Sequence, residues 1–244
     1  MTLLEAKGVV QTYGTLRALD GVAFSVAEGQ FHGLVGPNGS GKSTLMKCIA
    51  GAEIAKEGAI RFSGTDITTL PPEQRAKLGI SLKFQITSVM PNLTVYDNVL
   101  LALQAGDRLR DLVRSITRGG YHARIRETLA RFRLVERSDD LAGILSHGQQ
   151  QWLEIAMALV RRPKLLLLDE PTAGMSPEER WATAEILEPV RDHCAMVIVE
   201  HDLDFIRDIC DRLTVLNQGV VVDSGTVSEI QNSEKVREVY LSRV

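Results

Sequence analysis

Nine consecutive residues, Gly36-Pro37-Asn38-Gly39-Ser40-Gly41-Lys42-Ser43-Thr44, combine bare backbone, a cation and a hydroxyl. They fit the pattern G-x-x-x-x-G-K-[ST], whose chemistry is the holding of a polyphosphate. Several negative charges must be met by donors at close range. Gly39 and Gly41 carry no Cβ, so the backbone there can curl and aim its N–H groups inward. A helix beginning near Lys42 adds the positive end of its dipole. Lys42 supplies a point charge for the β- and γ-phosphates, and the Ser43 hydroxyl is suited to Mg²⁺. Residues 31–35 read as a short buried strand entering the loop. Residues 45–50 read as the helix leaving it, ended by Gly51.

Two further groups of polar residues stand at the ends of apolar runs. Leu165-Leu166-Leu167-Leu168 has the composition of a strand buried on both faces, and it ends in Asp169-Glu170. Acids just past such a strand lie where ligands bind in α/β sheets. Asp169 can help hold Mg²⁺ through water, and Glu170 is placed to polarise an attacking water. Residues 195–199 form a similar run, with Glu200-His201-Asp202 at its end, so His201 shares that edge and is read as a γ-phosphate contact. Leu145-Ser146-His147-Gly148-Gln149 opens a helix whose Trp152, Ile155, Ala156 and Leu159 recur at helical spacing. Ser146 with Gln149 is also a capping box, so Ser146 either caps only or meets a ligand too. Tyr13 is either an edge tyrosine or a base-stacking aromatic.

The elements that position these groups follow from patterning. Residues 6–10 and 22–26 read as strands, and residues 52–65 as a strand pair with turns at Glu57-Gly58 and Ser63-Gly64. Pro71-Pro72-Glu73-Gln74 opens a short helix, and residues 79–85 return as a strand ending on Gln85. Residues 86–160 are mostly helical, with a break at Gly119-Gly120 and a basic amphipathic helix over 122–132. Ser176-Pro177-Glu178-Glu179 starts a helix running to about residue 190. Residues 212–216 and 220–222 form a closing hairpin, and 226–244 a helical tail.

The fold class expected is α/β, with a phosphate-loop NTPase core on a parallel sheet, an N-terminal antiparallel β-subdomain and an inserted helical subdomain. Residues 1–85 and 161–223 make up the core with its β-subdomain, 86–160 the helical subdomain and 224–244 the tail, all in one domain. A chain of 244 residues has room for this. A net charge of −3 argues against nucleic acid as a partner, because no basic excess exists to neutralise phosphates over a long surface. No apolar run approaches the ~18 residues that span a bilayer, and the N-terminus lacks a signal-peptide pattern. Cys48, Cys194 and Cys210 lack metal spacing and fit buried packing roles in a reducing cytosol.

With six ordered motifs over its whole length, the chain resembles the ATP-binding subunit of an ABC transporter. Tyr13 matches the aromatic that stacks on adenine, residues 36–44 match Walker A, and Gln85 matches the glutamine that senses Mg²⁺ and the membrane partner. Residues 145–149 match the signature motif usually written LSGGQ, residues 165–170 match Walker B with its catalytic glutamate, and His201 matches the switch histidine. The resemblance implies ATP and Mg²⁺ as cofactors, with Ser43, Gln85 and Asp169 at the metal. It implies a head-to-tail dimer with an identical or related chain, in which Ser146, His147, Gly148 and Gln149 meet the nucleotide in trans. It implies integral membrane permease subunits docking near residues 85–99, a solute-binding protein reached indirectly, and a place on the cytoplasmic face of the membrane.

Two positions depart from the family pattern. His147 replaces the first signature glycine, and Ser176 stands where many members have an aspartate, with a helix cap or a neutral hydrogen bond expected there. Leu-Ser-His-Gly-Gln with the following Gln-Gln-Trp-Leu-Glu-Ile-Ala-Met-Ala-Leu is similar to the importers of branched-chain amino acids, urea and amides. Asp-Glu-Pro-Thr-Ala-Gly-Met-Ser-Pro-Glu-Glu and the short tail are similar to the same group. An ATPase powering a branched-chain amino-acid importer is therefore expected. The alternatives are a urea or amide importer, a lipopolysaccharide-export ATPase and a non-transport ABC ATPase.

Overall fold

The computed structural model describes residues 1–83, 89–107 and 117–241. Two sheets carry the chain. In the first, β1 (Thr2–Tyr13) lies between β2 (Leu16–Ala27) and β4 (Glu57–Phe62), with the short β5 (Thr65–Asp66) beyond, and every pairing is antiparallel. The first hairpin is longer than the two five-residue strands expected, because bulges near Gly8 and Gly21 absorb the breaks in alternation.

The second sheet has the order β10 (Val220–Thr226), β9 (Arg212–Asn217), β3 (Phe31–Val35), β8 (Ala195–Val199), β7 (Leu165–Asp169), β6 (Ile80–Lys83). All of its neighbours are parallel except the β9–β10 hairpin. The four-leucine run is explained by this sandwiching. Leu165 and Leu167 join a core with α1 (Lys42–Ala50) and the first sheet, whereas Leu166 and Leu168 join a core with the helices on the opposite face. Both faces of the strand are apolar because both are covered.

Those helices are α3 (Val95–Gln104), α4 (Thr117–Arg131) and α5 (His147–Leu159), with α6 (Pro177–Leu187) packed beside them. Trp152 of α5 donates its indole N–H to Thr183 of α6 at 2.8 Å. A buried ion pair, Lys83 of β6 with Glu154 of α5 at 3.2 Å, fastens the helical layer to the sheet. The chain then closes with α7 (Leu203–Ile209), α8 (Val227–Asn232) and α9 (Glu234–Leu241).

Three boundaries differ from expectation. Gly119-Gly120 does not break the helical layer but lies within α4. Packing of Ile125 and Leu129 in the core outweighs the roughly 1 kcal/mol that each glycine costs. Glu57-Gly58 is no turn but the start of β4, which crosses Gly8 so closely that a Cβ at Gly58 would lie 2.4 Å from the Gly8 carbonyl oxygen. The helix expected to reach residue 190 ends at Leu187 in a single 3-10 turn (Glu188–Asp192), because the Pro189 ring cannot continue an α-helix. The strand expected to end on Gln85 ends at Lys83, and Gln85 itself lies outside the described residues.

Two buried polar side chains brace the layers near the phosphate loop. Arg75, in α2 (Pro72–Leu78), is fully buried and donates to the carbonyls of Ile49 at 2.9 Å, Thr68 at 2.9 Å and Leu70 at 2.8 Å. Its guanidinium thus covers the negative, C-terminal end of α1. His32 of β3 bonds through Nε2 to the Thr214 hydroxyl at 2.8 Å, and burial, followed by the charge of Arg212, lowers its pKa to about 4.

A histidine neutral in the fold takes up its proton first in the unfolded chain, so stability is lost as pH falls from the unfolded pKa near 6.5 towards 4. His32 alone accounts for about 3 kcal/mol of that loss. Urea titrations between pH 7 and 4 should give a shallower fall for His32→Gln than for the wild type. Equal slopes would contradict the assignment.

Candidate active site

Pairing register sets the site. Val199 faces Leu34 on one side and Asp169 on the other, so β3, β8 and β7 release their chains at one level. Gly36 leaves β3 at φ 146°, pressed against β9, and a Cβ there would lie 2.1 Å from the Leu216 carbonyl oxygen. The loop is braced from the β9–β10 turn, where the Gly219 N–H donates to the Ser40 carbonyl at 3.0 Å. Gly41 ends the loop as the N-cap of α1 and provides no side-chain cap. The first-turn N–H groups are therefore left for an anion.

Lys42 turns back and donates to the Gly36 carbonyl at 2.8 Å and the Pro37 carbonyl at 3.0 Å. Burial lowers its pKa, and Asp169 and Glu170 oppose that shift. Burial raises the Asp169 pKa above the usual carboxylate range, while a hydrogen bond from the Ser43 hydroxyl works against it. Ser40 places its hydroxyl in a buried position without a hydrogen-bond partner among the described residues.

Glu170 sits in the left-handed region at φ 48°. Such a conformation costs on the order of 1–3 kcal/mol and persists only where the surroundings hold it. Among the bonds that do so, its N–H donates to the Val199 carbonyl at 2.9 Å, its carbonyl accepts from the Ala173 N–H at 3.3 Å, and its Oε1 lies 3.1 Å from His201 Nε2. The following segment is pinned by a residue whose role sequence reasoning missed. Buried Glu200 accepts from both the N–H and the hydroxyl of Thr172 at 2.7 Å, and from the His201 N–H at 3.1 Å. An acid between an apolar strand and a histidine was the only signal available for it.

Tyr13, Asn38, Gly39, Ser40, Gly41, Lys42, Ser43, Thr44, Glu170 and His201 line one open pocket, together with Arg17, Val199 and Gln218. Gly36 and Pro37 lie behind it, in contact with Lys42. Tyr13 stands at the end of β1 with its hydroxyl bonded to Glu53, and burial followed by that bond raises its pKa. Arrayed backbone donors, an ammonium, a serine hydroxyl and an aspartate, and a glutamate against a histidine fit a phosphate ester and the activation of a water beside it.

The signature stretch does not join this pocket. Ser146 caps α5 in a capping box with Gln149, and both reciprocal bonds are formed. Gly148 is buried beneath the Glu179 carboxylate, and the His147 ring turns to the Ala173 carbonyl of its own chain at 3.0 Å. Ser176 caps α6 in a second box with Glu179, as expected for a residue that cannot act as a charged partner.

Gly36→Ala should abolish nucleotide binding, because its methyl meets backbone rather than a movable side chain. Gly39→Ala, which meets nothing within 4 Å, should fold and bind, destabilised by about 1–2 kcal/mol for its positive φ. Titration with a fluorescent ATP analogue, alongside thermal melts, separates the two. Normal binding by Gly36→Ala would refute the close-approach argument.

Comparison with known proteins agrees with this geometry. Residues 19–173 match the ABC transporter family. The chain is 32% identical to the high-affinity branched-chain amino acid transport ATP-binding protein BraF of Pseudomonas aeruginosa, over 98% of this chain and 97% of the relative. It is 34% identical to the lipopolysaccharide export system ATP-binding protein LptB of Escherichia coli strain K12, over 99% and 98%. The ADP conformation of MJ1267, an ATP-binding cassette of an ABC transporter, superposes with a TM-score of 0.86 at 31% identity, over the whole of both chains. A dimeric post-hydrolysis state of the cassette MJ0796, bound to ADP and Pi, superposes with a TM-score of 0.77 at 27% identity, over 92% and 99%. A phosphate loop facing a glutamate–histidine pair, on a fold shared end to end with these cassettes, makes this chain an ATP-hydrolysing member of the ABC transporter family.

Proposed function

We propose that this chain powers an importer of small polar solutes, most similar to those for branched-chain amino acids, as a peripheral subunit on the cytoplasmic face of a membrane. The observation that carries the chemistry is Glu170, held in a strained backbone conformation and bonded to His201 at the rim of the phosphate-loop pocket. The loop from Gly36 to Thr44, through its backbone N–H groups (Pro37 has none), and the Lys42 ammonium bind the phosphates, with Lys42 exchanging its two carbonyl partners for phosphate oxygens. Tyr13 stacks on the base. Glu170 takes the proton of the attacking water, and His201 orients Glu170 and meets the γ-phosphate.

Mg²⁺ suits this site, because the Ser43 hydroxyl and the Asp169 carboxylate act on each other and are the oxygen donors that a hard cation prefers. Ser43 and Asp169 would hold it, with Gln85 as a third contact outside the described residues. When bound, it neutralises charge on the β- and γ-phosphates.

The signature residues find their role in a head-to-tail dimer, the assembly consistent with their distance from their own pocket. Ser146, Gly148 and Gln149 meet the partner's nucleotide at the N-terminus of α5, and His147 does so through its backbone N–H. An exposed apolar patch supports permease docking near residues 85–99. Met90, Leu93, Leu141 and Ile144 face solvent, and backbone bonds between 93–95 and 140–142 hold their segments together. The solute-binding protein acts only through that permease. Residues 86–160 move as the helical subdomain of the single ATP-binding domain, against a core of 1–85 and 161–223, with 224–244 as its tail.

The similarity to LptB favours a second reading, lipopolysaccharide export, with the same ATPase cycle and a different permease. Co-purification with candidate permeases decides between them. Glu170→Gln should bind ATP, lose hydrolysis by 10²-fold or more, and double in solution mass on adding Mg-ATP. Hydrolysis at the wild-type rate would refute the assignment of Glu170. A nucleotide-bound monomer would refute pairing of this chain with itself and point to a related subunit.

A further inference from the structure

We propose that His147 is a positioning residue that ties the N-terminus of α5 to the segment carrying Glu170. The inference rests on the reading of Glu170 given above. Its first support is a single bond. His147 Nε2 lies 3.0 Å from the Ala173 carbonyl oxygen, which makes Nε2 the protonated nitrogen in that contact. Both the neutral tautomer with its proton there and the imidazolium can donate, so the link does not depend on the charge of the ring.

The second support is that the receiving segment is shaped to take the ring. Gly174 adopts φ 73°, and a Cβ on it would lie 3.0 Å from His147 Cδ2 and Nε2. The imidazole therefore rests over a bare Cα. One residue on, the Glu179 carboxylate occupies the place of a Cβ at Gly148, and the same carboxylate accepts from the Ser176 N–H at 3.0 Å. The starts of α5 and α6 are thus fitted to each other at two successive positions.

The third support is where Ala173 sits. It lies three residues beyond Glu170, and its N–H donates to the Glu170 carbonyl at 3.3 Å. Thr172 beside it is fixed from the sheet side by Glu200. Beyond the bonds of Glu170 itself to Val199 and His201, the segment that follows it is held by Glu200 from the end of β8 and by His147 from the start of α5. Without the imidazole, the exposed Ala173 carbonyl turns to water and one anchor is gone. Displacement of this segment reaches Glu170, and small misplacements of a reacting group are expensive in rate.

The test is steady-state ATPase kinetics on the full chain with wild type, His147→Ala, His147→Gln and Glu170→Gln, alongside thermal melts. His147→Ala should lower kcat roughly 10-fold with the KM for ATP and the melting temperature unchanged. His147→Gln, whose amide can donate to the same carbonyl, should recover most of the loss. A His147→Ala enzyme with wild-type kcat would overturn the proposal. So would a loss that glutamine does not relieve, or a raised KM, which would mean direct nucleotide contact by the ring. If Glu170→Gln is inactive while His147→Ala is normal, only this inference fails. If Glu170→Gln hydrolyses ATP normally, the underlying assignment fails and takes the inference with it.

Discussion

The parallel register of β3, β8 and β7 is the constraint on which the rest depends. One row of backbone hydrogen bonds sets Leu34, Val199 and Asp169 side by side, and neighbouring strands lie only about 5 Å apart. The phosphate loop, the acid pair and the Glu200–His201 pair therefore leave the sheet together. A shift of one residue would turn Leu165 to Leu168 inside out between the two cores, so apolar burial on both faces enforces the same register that places the chemistry.

The phosphate loop poses the opposite problem, since it must hold backbone donors and a cation in place without using them. The donors at the start of α1 stay uncapped, and Lys42 rests on carbonyls that compete only weakly with a phosphate. The order of this arrangement comes from outside the loop. Gly219 fixes one side, the Leu216 carbonyl crowds Gly36 on another, and Arg75 holds the far end of α1. Arg75 achieves this through carbonyl acceptors, while the charge of Asp66 nearby favours the guanidinium against the cost of its burial.

The helical layer is joined to this rigid centre by a few specific polar links. Lys83–Glu154 joins β6 to α5 inside the core, where losing one partner would strand a buried charge. Trp152–Thr183 joins α5 to α6, and His147–Ala173 joins α5 to the segment after β7. All three converge on α5, which ties that helix to β6, to α6 and to the segment that follows Asp169.

Much of this was legible in the residues themselves. The glycine spacing of the phosphate loop, the leucine run ending in two acids, the capping box at Ser146 and the helix cap at Ser176 each express a local rule, and local rules can be read one segment at a time. The α/β class, the two sheets and the helical layer followed from the same patterning, whereas family membership rested on the resemblance of six ordered motifs. Glu200, Arg75 and His32 were not legible, because each is defined by a partner distant in sequence. The glycines at 119–120 and 58 were misread, since packing of Ile125 and Leu129 and the close crossing of Gly8 override propensity there. The strain at Glu170 and the contact of His147 with the Ala173 carbonyl also required the fold. By itself the sequence determined which chemical groups the protein has and which segments carry them. The tertiary structure alone decided which groups touch, because contact depends on strand register and helix packing that no single segment contains.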